Sequence, residues 1–98
     1  MKPYIGVVHK DPDSAYGISF PDAPGCFSAA DEMDDVFAMA EEALAAWTEA
    51  MLAGGLAIPR TRELSEIRAD PEWAESLASS AFLIAVPAPL EGEHKKAA

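Results

Sequence analysis

The sequence predicts an α+β fold in which a small, largely antiparallel sheet is covered on one face by one long helix. Three observations support this. Two short stretches in the first twenty residues are rich in β-branched or alternating apolar residues and flank a turn. Residues 31–53 carry apolar side chains at helical spacing, and residues 80–86 form an apolar run of strand length. The predicted order of elements is therefore β-β-β-α-β.

The N-terminal part predicts a hairpin followed by a short third strand. Residues 4–9 form the first predicted strand, residues 11–14 a turn, and residues 15–20 the second strand. Alternation places Tyr16, Ile18 and Phe20 on one face of that strand. The prolines of segment 21–25 lack the amide hydrogen that a central strand needs, so this segment predicts a tight connection. The third strand is expected at about residues 26–29.

The long helix is expected to begin at Asp31, a good N-cap residue, and to end at Gly54 and Gly55. A stripe of apolar residues three or four positions apart should face the core. The predicted stripe consists of Met33, Phe37, Ala40, Leu44, Trp47 and Met51, and it is widened by Val36, Ala43 and Ala50. The opposite, polar face is expected to hold Glu41, Glu42, Thr48 and Glu49.

The C-terminal third predicts two short helical pieces and a last strand. Thr61 is the expected cap of the first piece, and Asp70 with Pro71 at the first helical position begins the second. Leu64, Ile67 and Trp73 should pack these pieces against the rest. Residues 80–86 are predicted to form a buried last strand. Residues 1–90 are thus expected to form one domain, and the polar residues 91–98 a disordered tail.

The charge is strongly negative and unevenly distributed. The chain has 98 residues and a formal net charge of -10, and between Asp11 and Pro59 it has ten acidic residues and no Lys or Arg. Such a surface repels phosphate backbones, whereas nucleic-acid-binding proteins normally gather cations. It would steer a basic protein toward this one. The alternative is that the charge serves solubility alone.

The sequence predicts a cytoplasmic, soluble protein without catalytic residues, metal or cofactor. The single cysteine, Cys26, allows no intrachain disulfide, and no apolar segment is long enough for a signal peptide or a membrane span. Cys26 has no neighbouring cation or positioned histidine, so a small buried residue is the expected role. Most of the aspartates have local roles in turns or helix caps.

A family resemblance accompanies the stretch from Tyr16 to Cys26, which reads YGISFPDAPGC and is followed by Asp31 and a helix rich in Glu and Ala. This ordered pattern resembles the N-terminal domain of HicB-type antitoxins, and the resemblance extends from about Tyr4 to Pro87. It implies a partial ribonuclease-H-like fold and a non-enzymatic antitoxin that neutralises a small basic HicA-like RNA-cleaving toxin. Because that fold is shared with metal nucleases, a metal-dependent nuclease is one alternative function. A self-associating module without a toxin is another.

The residues expected to contact a partner are Asp11, Asp13, Tyr16, Phe20 and Asp22, which would form an exposed aromatic and acidic platform. The alternative role of each is to build the hairpin and its exit. Many antitoxins of this type continue into a DNA-binding helical segment, which is not found in this sequence, so we do not expect this chain to bind DNA by itself. Either it is a shortened version that only neutralises, or it is a fragment of a longer antitoxin. Homo-oligomers are expected because short sheets leave pairing edges open.

Overall fold

The computed structural model describes residues 2–89, which form a four-stranded sheet with helices on both faces. The predicted tail at 91–98 lies outside the described residues. The elements follow one another in this order: β1 (Tyr4–Lys10), β2 (Tyr16–Ser19), β3 (Phe27–Ala30), a 3₁₀ turn (Met33–Asp35), α1 (Val36–Ala53), α2 (Leu64–Ala69), α3 (Pro71–Ala78) and β4 (Phe82–Val86).

The sheet is antiparallel throughout, with strand order β3-β2-β1-β4. All four strands occur where the sequence predicts them, within two residues. Val8 pairs with Ile18 on one side and with Phe82 on the other, which makes β1 a central strand. β4 lies at an edge and is mostly half-buried rather than buried, so that part of the prediction is wrong. The ribonuclease-H-like assignment stays a prediction.

Helix α1 covers one face of the sheet and builds the larger core. The face carries Tyr4 and Val8 of β1, and the ring of Tyr4 meets that of Trp47 edge-on, with the ring centroids 6.2 Å apart. The residues that α1 buries lie four apart, which is one side of a helix. They are Val36, Ala40, Leu44 and Thr48.

This buried line confirms Val36, Ala40 and Leu44 of the predicted stripe and corrects other positions. Met33 is 56% exposed because it belongs to the 3₁₀ turn, which breaks the 3.6-residue period. Phe37 is 44% exposed because it lies one residue, or about 100°, from the buried Val36. Thr48, expected on the polar face, is buried and donates its hydroxyl hydrogen to the carbonyl oxygen of Leu44 at 2.8 Å. That bond lets a polar side chain lie in the core.

The two ends of the long helix differ in how well the sequence predicts them. Asp31 is not the N-cap; the chain enters the 3₁₀ turn after Glu32, and neither Glu32 nor Asp35 makes a capping side-chain bond. The C-terminal prediction is confirmed. Gly55 has φ +73°, and the amide of Leu56 donates to the carbonyl of Met51 at 2.9 Å, as in a Schellman motif.

Helices α2 and α3 cover the other face, so the prediction of a sheet covered by one helix is wrong. Their core joins Val7 to Ile67 and Leu77. Val7 follows Tyr4 by three positions and therefore points to the face opposite Tyr4 and Val8. The predicted packing residues Leu64, Ile67 and Trp73 all belong to this core, which confirms the prediction. The half-buried members of this cluster are Ile5, Leu64, Trp73 and Leu83.

The sequence predicts the N-cap of one of the two short helices correctly. α2 begins after Glu63 rather than Thr61, and the Glu66 side chain accepts the Glu63 amide hydrogen at 2.8 Å in a capping box. Thr61 is buried and instead donates to the carbonyl of Lys2 at 3.3 Å. The Asp70 cap is confirmed, since its carboxylate accepts the Glu72 amide hydrogen at 2.9 Å.

Candidate protein-binding site

The loop between β2 and β3 is a pair of tight turns. The amide of Ala23 donates to the carbonyl of Phe20 at 3.1 Å, and the amide of Cys26 donates to the carbonyl of Ala23 at 3.0 Å. Gly25 has φ +85°, a conformation that glycine adopts without the steric cost of a side chain. The indole of Trp47 donates to the carbonyl of Pro24 at 2.9 Å, which ties the loop to α1.

A buried ion pair ties the same loop to α2 and α3. The Asp22 carboxylate is 7% exposed and accepts hydrogen bonds from the backbone amide of Arg62 at 2.8 Å and from its Nε at 2.7 Å. The Arg62 guanidinium also donates to Asp70 at 3.0 Å. The side-chain hydrogen bonds to Asp70 and Asp22 raise the pKa of Arg62, and the bond from Arg62 holds the pKa of Asp70 below its usual value.

The five expected contact residues divide into buried and accessible ones. Phe20 is 2% exposed and Asp22 is paired with Arg62, so the expectation of an exposed platform is wrong for these two. Phe20 lies in the larger core, and Asp22 is buried against Arg62, forty residues further along the chain. Asp11 and Asp13 are exposed in the turn between β1 and β2. Tyr16 is half-buried, with Phe82 at 6.2 Å on one side and the Lys10 ammonium 5.5 Å from its ring centroid.

Cys26 is buried, as predicted from its surroundings in sequence. Burial raises the pKa of its thiol to about 11, which leaves it protonated and unreactive at neutral pH. Burial, followed by the neighbouring Asp22 and Cys26, also raises the pKa of Tyr4. Both groups therefore act as uncharged core residues.

The carboxylates that remain are spread over the surface. Of the ten acidic residues between positions 11 and 59, all except Asp22 are exposed. Within residues 2–89, no three His, Cys, Asp or Glu side chains come together in a group that could hold a metal ion. In the same part of the chain, no helix has the length and apolar character needed to cross a membrane.

A groove lies between the β2–β3 loop and α3, and its accessible side chains were not predicted as site residues. It encloses about 260 Å³, and its walls include Pro24, Phe27, Glu72 and Trp73. Phe27 is 71% exposed, the largest exposure among the large apolar side chains described. Alternation along the third strand could have indicated this, because Cys26 points inward and the next residue must point outward.

These features describe a small α+β domain with many exposed carboxylates and an aromatic groove. The model of the HicB-like antitoxins of bacterial toxin-antitoxin systems matches residues 4–96. The chain therefore belongs to the HicB-like antitoxin family. This confirms the resemblance noted from the sequence.

Solved antitoxin structures have the same fold. The N-terminal domain of the Burkholderia pseudomallei antitoxin HicB is 30% identical, with a TM-score of 0.69 over 92% of this chain and 100% of that domain. The longer HicB structure from that organism has a TM-score of 0.71, and the match covers 64% of it. A chain of a HicA3 and HicB3 toxin-antitoxin complex is 27% identical, with a TM-score of 0.69 over 89% of this chain and 98% of that one.

One curated relative comes from a phage. An uncharacterized 14.9 kDa protein from the rep-hol intergenic region of Haemophilus phage HP1 is 32% identical over 63 residues. Those residues are 64% of this chain and 47% of the phage protein, so the match spans about half the length of that relative.

Proposed function

We propose that this protein is an antitoxin that binds a small basic HicA-like toxin and neutralises it by covering its RNA-binding surface. The observation that carries the proposal is the family match over residues 4–96. The relative found in a HicA3 and HicB3 complex supports a HicA-like protein as the partner.

The charge of the chain suits such a partner. A protein that cleaves RNA must attract phosphates, so its RNA-binding surface is basic. The exposed carboxylates of residues 11–59 have no Lys or Arg among them in the sequence. Such a surface competes with RNA for the basic side chains of the toxin. It also speeds the diffusional encounter with the toxin.

Asp11 and Asp13 are the proposed steering residues. Both are exposed at the tip of the β1–β2 hairpin, beside the half-buried Tyr16. The turn is held by the Ser14 amide, which donates to the Asp11 carbonyl at 3.1 Å, and by the Ser14 hydroxyl. Since those bonds use the Asp11 backbone, its carboxylate is available to a partner.

Neutralisation of this kind requires no chemistry from the antitoxin. The chain would act in the cytoplasm, where the toxin meets RNA, by occupying the toxin surface. A catalytic residue must be accessible to its substrate, whereas Cys26 and Asp22 are buried.

Co-purification tests the association. The chain is co-expressed with the small basic protein encoded beside its gene, with an affinity tag on only one of them, and the eluate is sized. We expect both proteins to elute as one complex that high salt weakens. Recovery of the tagged protein alone, at every salt concentration, would contradict the proposal.

A further inference from the structure

The groove between the β2–β3 loop and α3, called here the β3–α3 groove, exposes an aromatic ring that the fold does not use. Ser19 pairs with both Val7 and Phe27, and Val7 pairs with Leu83, so Phe27 lies in one cross-strand row on the α2–α3 face. Val7 and Leu83 are packed under the two helices. Phe27 is at the sheet edge beyond that cover, and 71% of it is exposed.

Hydrogen bonds within the chain hold the walls of the groove in place. Trp47 holds the carbonyl of Pro24 on one side. On the other side, Arg62 joins Asp22 in the loop to Asp70, the residue that caps α3. The position of Glu72 and Trp73 relative to the loop is therefore set by hydrogen bonds within the chain. A preformed groove loses little conformational entropy when it is filled.

The chemistry of the groove matches a cationic side chain. Glu72 is an exposed carboxylate on its wall, and no Lys or Arg is among the residues that line it within the described part of the chain. The rings of Phe27 and Trp73 attract cations through their faces and also cover the aliphatic stem of a Lys or Arg. The aromatic rings can thus cover the aliphatic stem of such a side chain, while the carboxylate pairs with its charged end.

We infer that the β3–α3 groove receives a Lys or Arg side chain of the basic toxin, with Phe27 as the main contact and Glu72 as the counter-ion. The inference rests on the proposed function and deepens it. Charge favours the toxin over a second copy of this chain, because the copy has 17 Asp and Glu against 7 Lys and Arg and a net charge of -10. The groove gives the complex its slow dissociation, whereas the distant carboxylates set the rate of encounter.

Four single variants test the inference, with dissociation of the toxin complex measured by surface binding. Phe27→Ala removes the exposed ring, and Leu56→Ala is its matched control because Leu56 is 58% exposed outside the groove. Glu72→Gln removes the charge, and Glu75→Gln is its control on the same helix. We expect Phe27→Ala to weaken binding about 30-fold, as an aromatic hot spot does. Glu72→Gln should weaken it about threefold, with both controls near wild type.

The outcomes separate this inference from the proposed function. If the wild type binds the toxin and Phe27→Ala binds as tightly as Leu56→Ala, the groove is not the contact and only this inference is overturned. If Phe27→Ala instead turns a dimer of the chain into monomers without loss of toxin affinity, the occupant is a second copy and the inference is also wrong. If the wild type itself does not bind, the proposed function fails, and the inference fails with it.

Discussion

The Asp22 carboxylate accepts two hydrogen bonds from Arg62, one from the backbone amide at 2.8 Å and one from Nε at 2.7 Å. The two residues are forty positions apart, and the carboxylate is almost completely buried. Arg62 reaches Asp70 at the same time, so one side chain connects the β2–β3 loop, the segment before α2 and the cap of α3. This connection fixes the side of the domain that carries the β3–α3 groove.

Removal of the Arg62 side chain should destabilise the fold. Arg62→Ala leaves a buried carboxylate with only one of its two donors, and a poorly compensated buried charge destabilises a fold. We expect the free energy of unfolding to fall by about 2 to 3 kcal/mol in a urea titration. Lys2→Ala is the control, since Lys2 and Glu63 form an exposed pair at 3.5 Å that contributes less than about 1 kcal/mol. Equal losses in the two variants would contradict the role given to Arg62.

The Asp70 carboxylate should make stability depend on pH in the acid range. Arg62 lowers the pKa of Asp70 in the folded state, so the ionised form stabilises the fold at every pH above the unfolded value of about 4. This contribution is lost as the pH falls below about 4, through the lower folded-state pKa. Wild type should therefore be more stable than Asp70→Asn at pH 7, and the gap should shrink toward pH 2.5. A gap that stays constant across that range would exclude an ionised Asp70 as its cause.

Gly6 should not tolerate a side chain. A Cβ at this position would lie 2.8 Å from Cγ1 of Ile84 and 3.3 Å from the Phe20 ring, inside a packed core. We expect Gly6→Ala to destabilise the domain by about 1 to 3 kcal/mol in urea unfolding. Gly17→Ala on the neighbouring strand is the control, because the nearest atom to its Cβ would be 4.0 Å away. The strand packing described here would be wrong if the two variants were equally stable.

The hairpin tip should affect how fast the toxin binds. Asp11→Asn combined with Asp13→Asn keeps the backbone bonds of the turn and removes two charges. The association rate at low salt should fall about threefold to tenfold, with a weaker dependence on salt. Glu72→Gln should act mainly on dissociation and so serves as the comparison. An association rate that is unchanged at low salt would remove Asp11 and Asp13 from the steering surface.

Local chemistry explains what the sequence predicted correctly. The strands, the glycine C-terminus of α1 and the Asp70 cap each depend on residues a few positions apart. The sequence also contains a signal that both faces of the sheet are covered. In β1, Ile5 and Val7 are apolar as well as Tyr4 and Val8, and an apolar run without alternation is typical of a strand buried on both sides.

The accessible surface was harder to predict because it depends on distant contacts. Nothing near Asp22 in the sequence shows that Arg62 will bury it, and an aspartate in a Pro-rich turn is usually exposed. Phe27 lines a groove only because α3 packs on the sheet and brings Trp73 close to the β2–β3 loop. The position of α3 follows from a core that joins residues 5–7 to residues 64–83, which no local pattern specifies.

An RNA-cleavage titration tests the central claim most directly. A fixed amount of the neighbouring HicA-like toxin is mixed with increasing amounts of this chain, and the rate of cleavage of a labelled RNA is recorded. An antitoxin that covers the RNA-binding surface should abolish cleavage at a fixed stoichiometric ratio, and RNA should no longer bind the toxin. Cleavage that continues at a large excess of the chain, with the toxin itself active, would contradict the assignment of this protein as an antitoxin of that toxin.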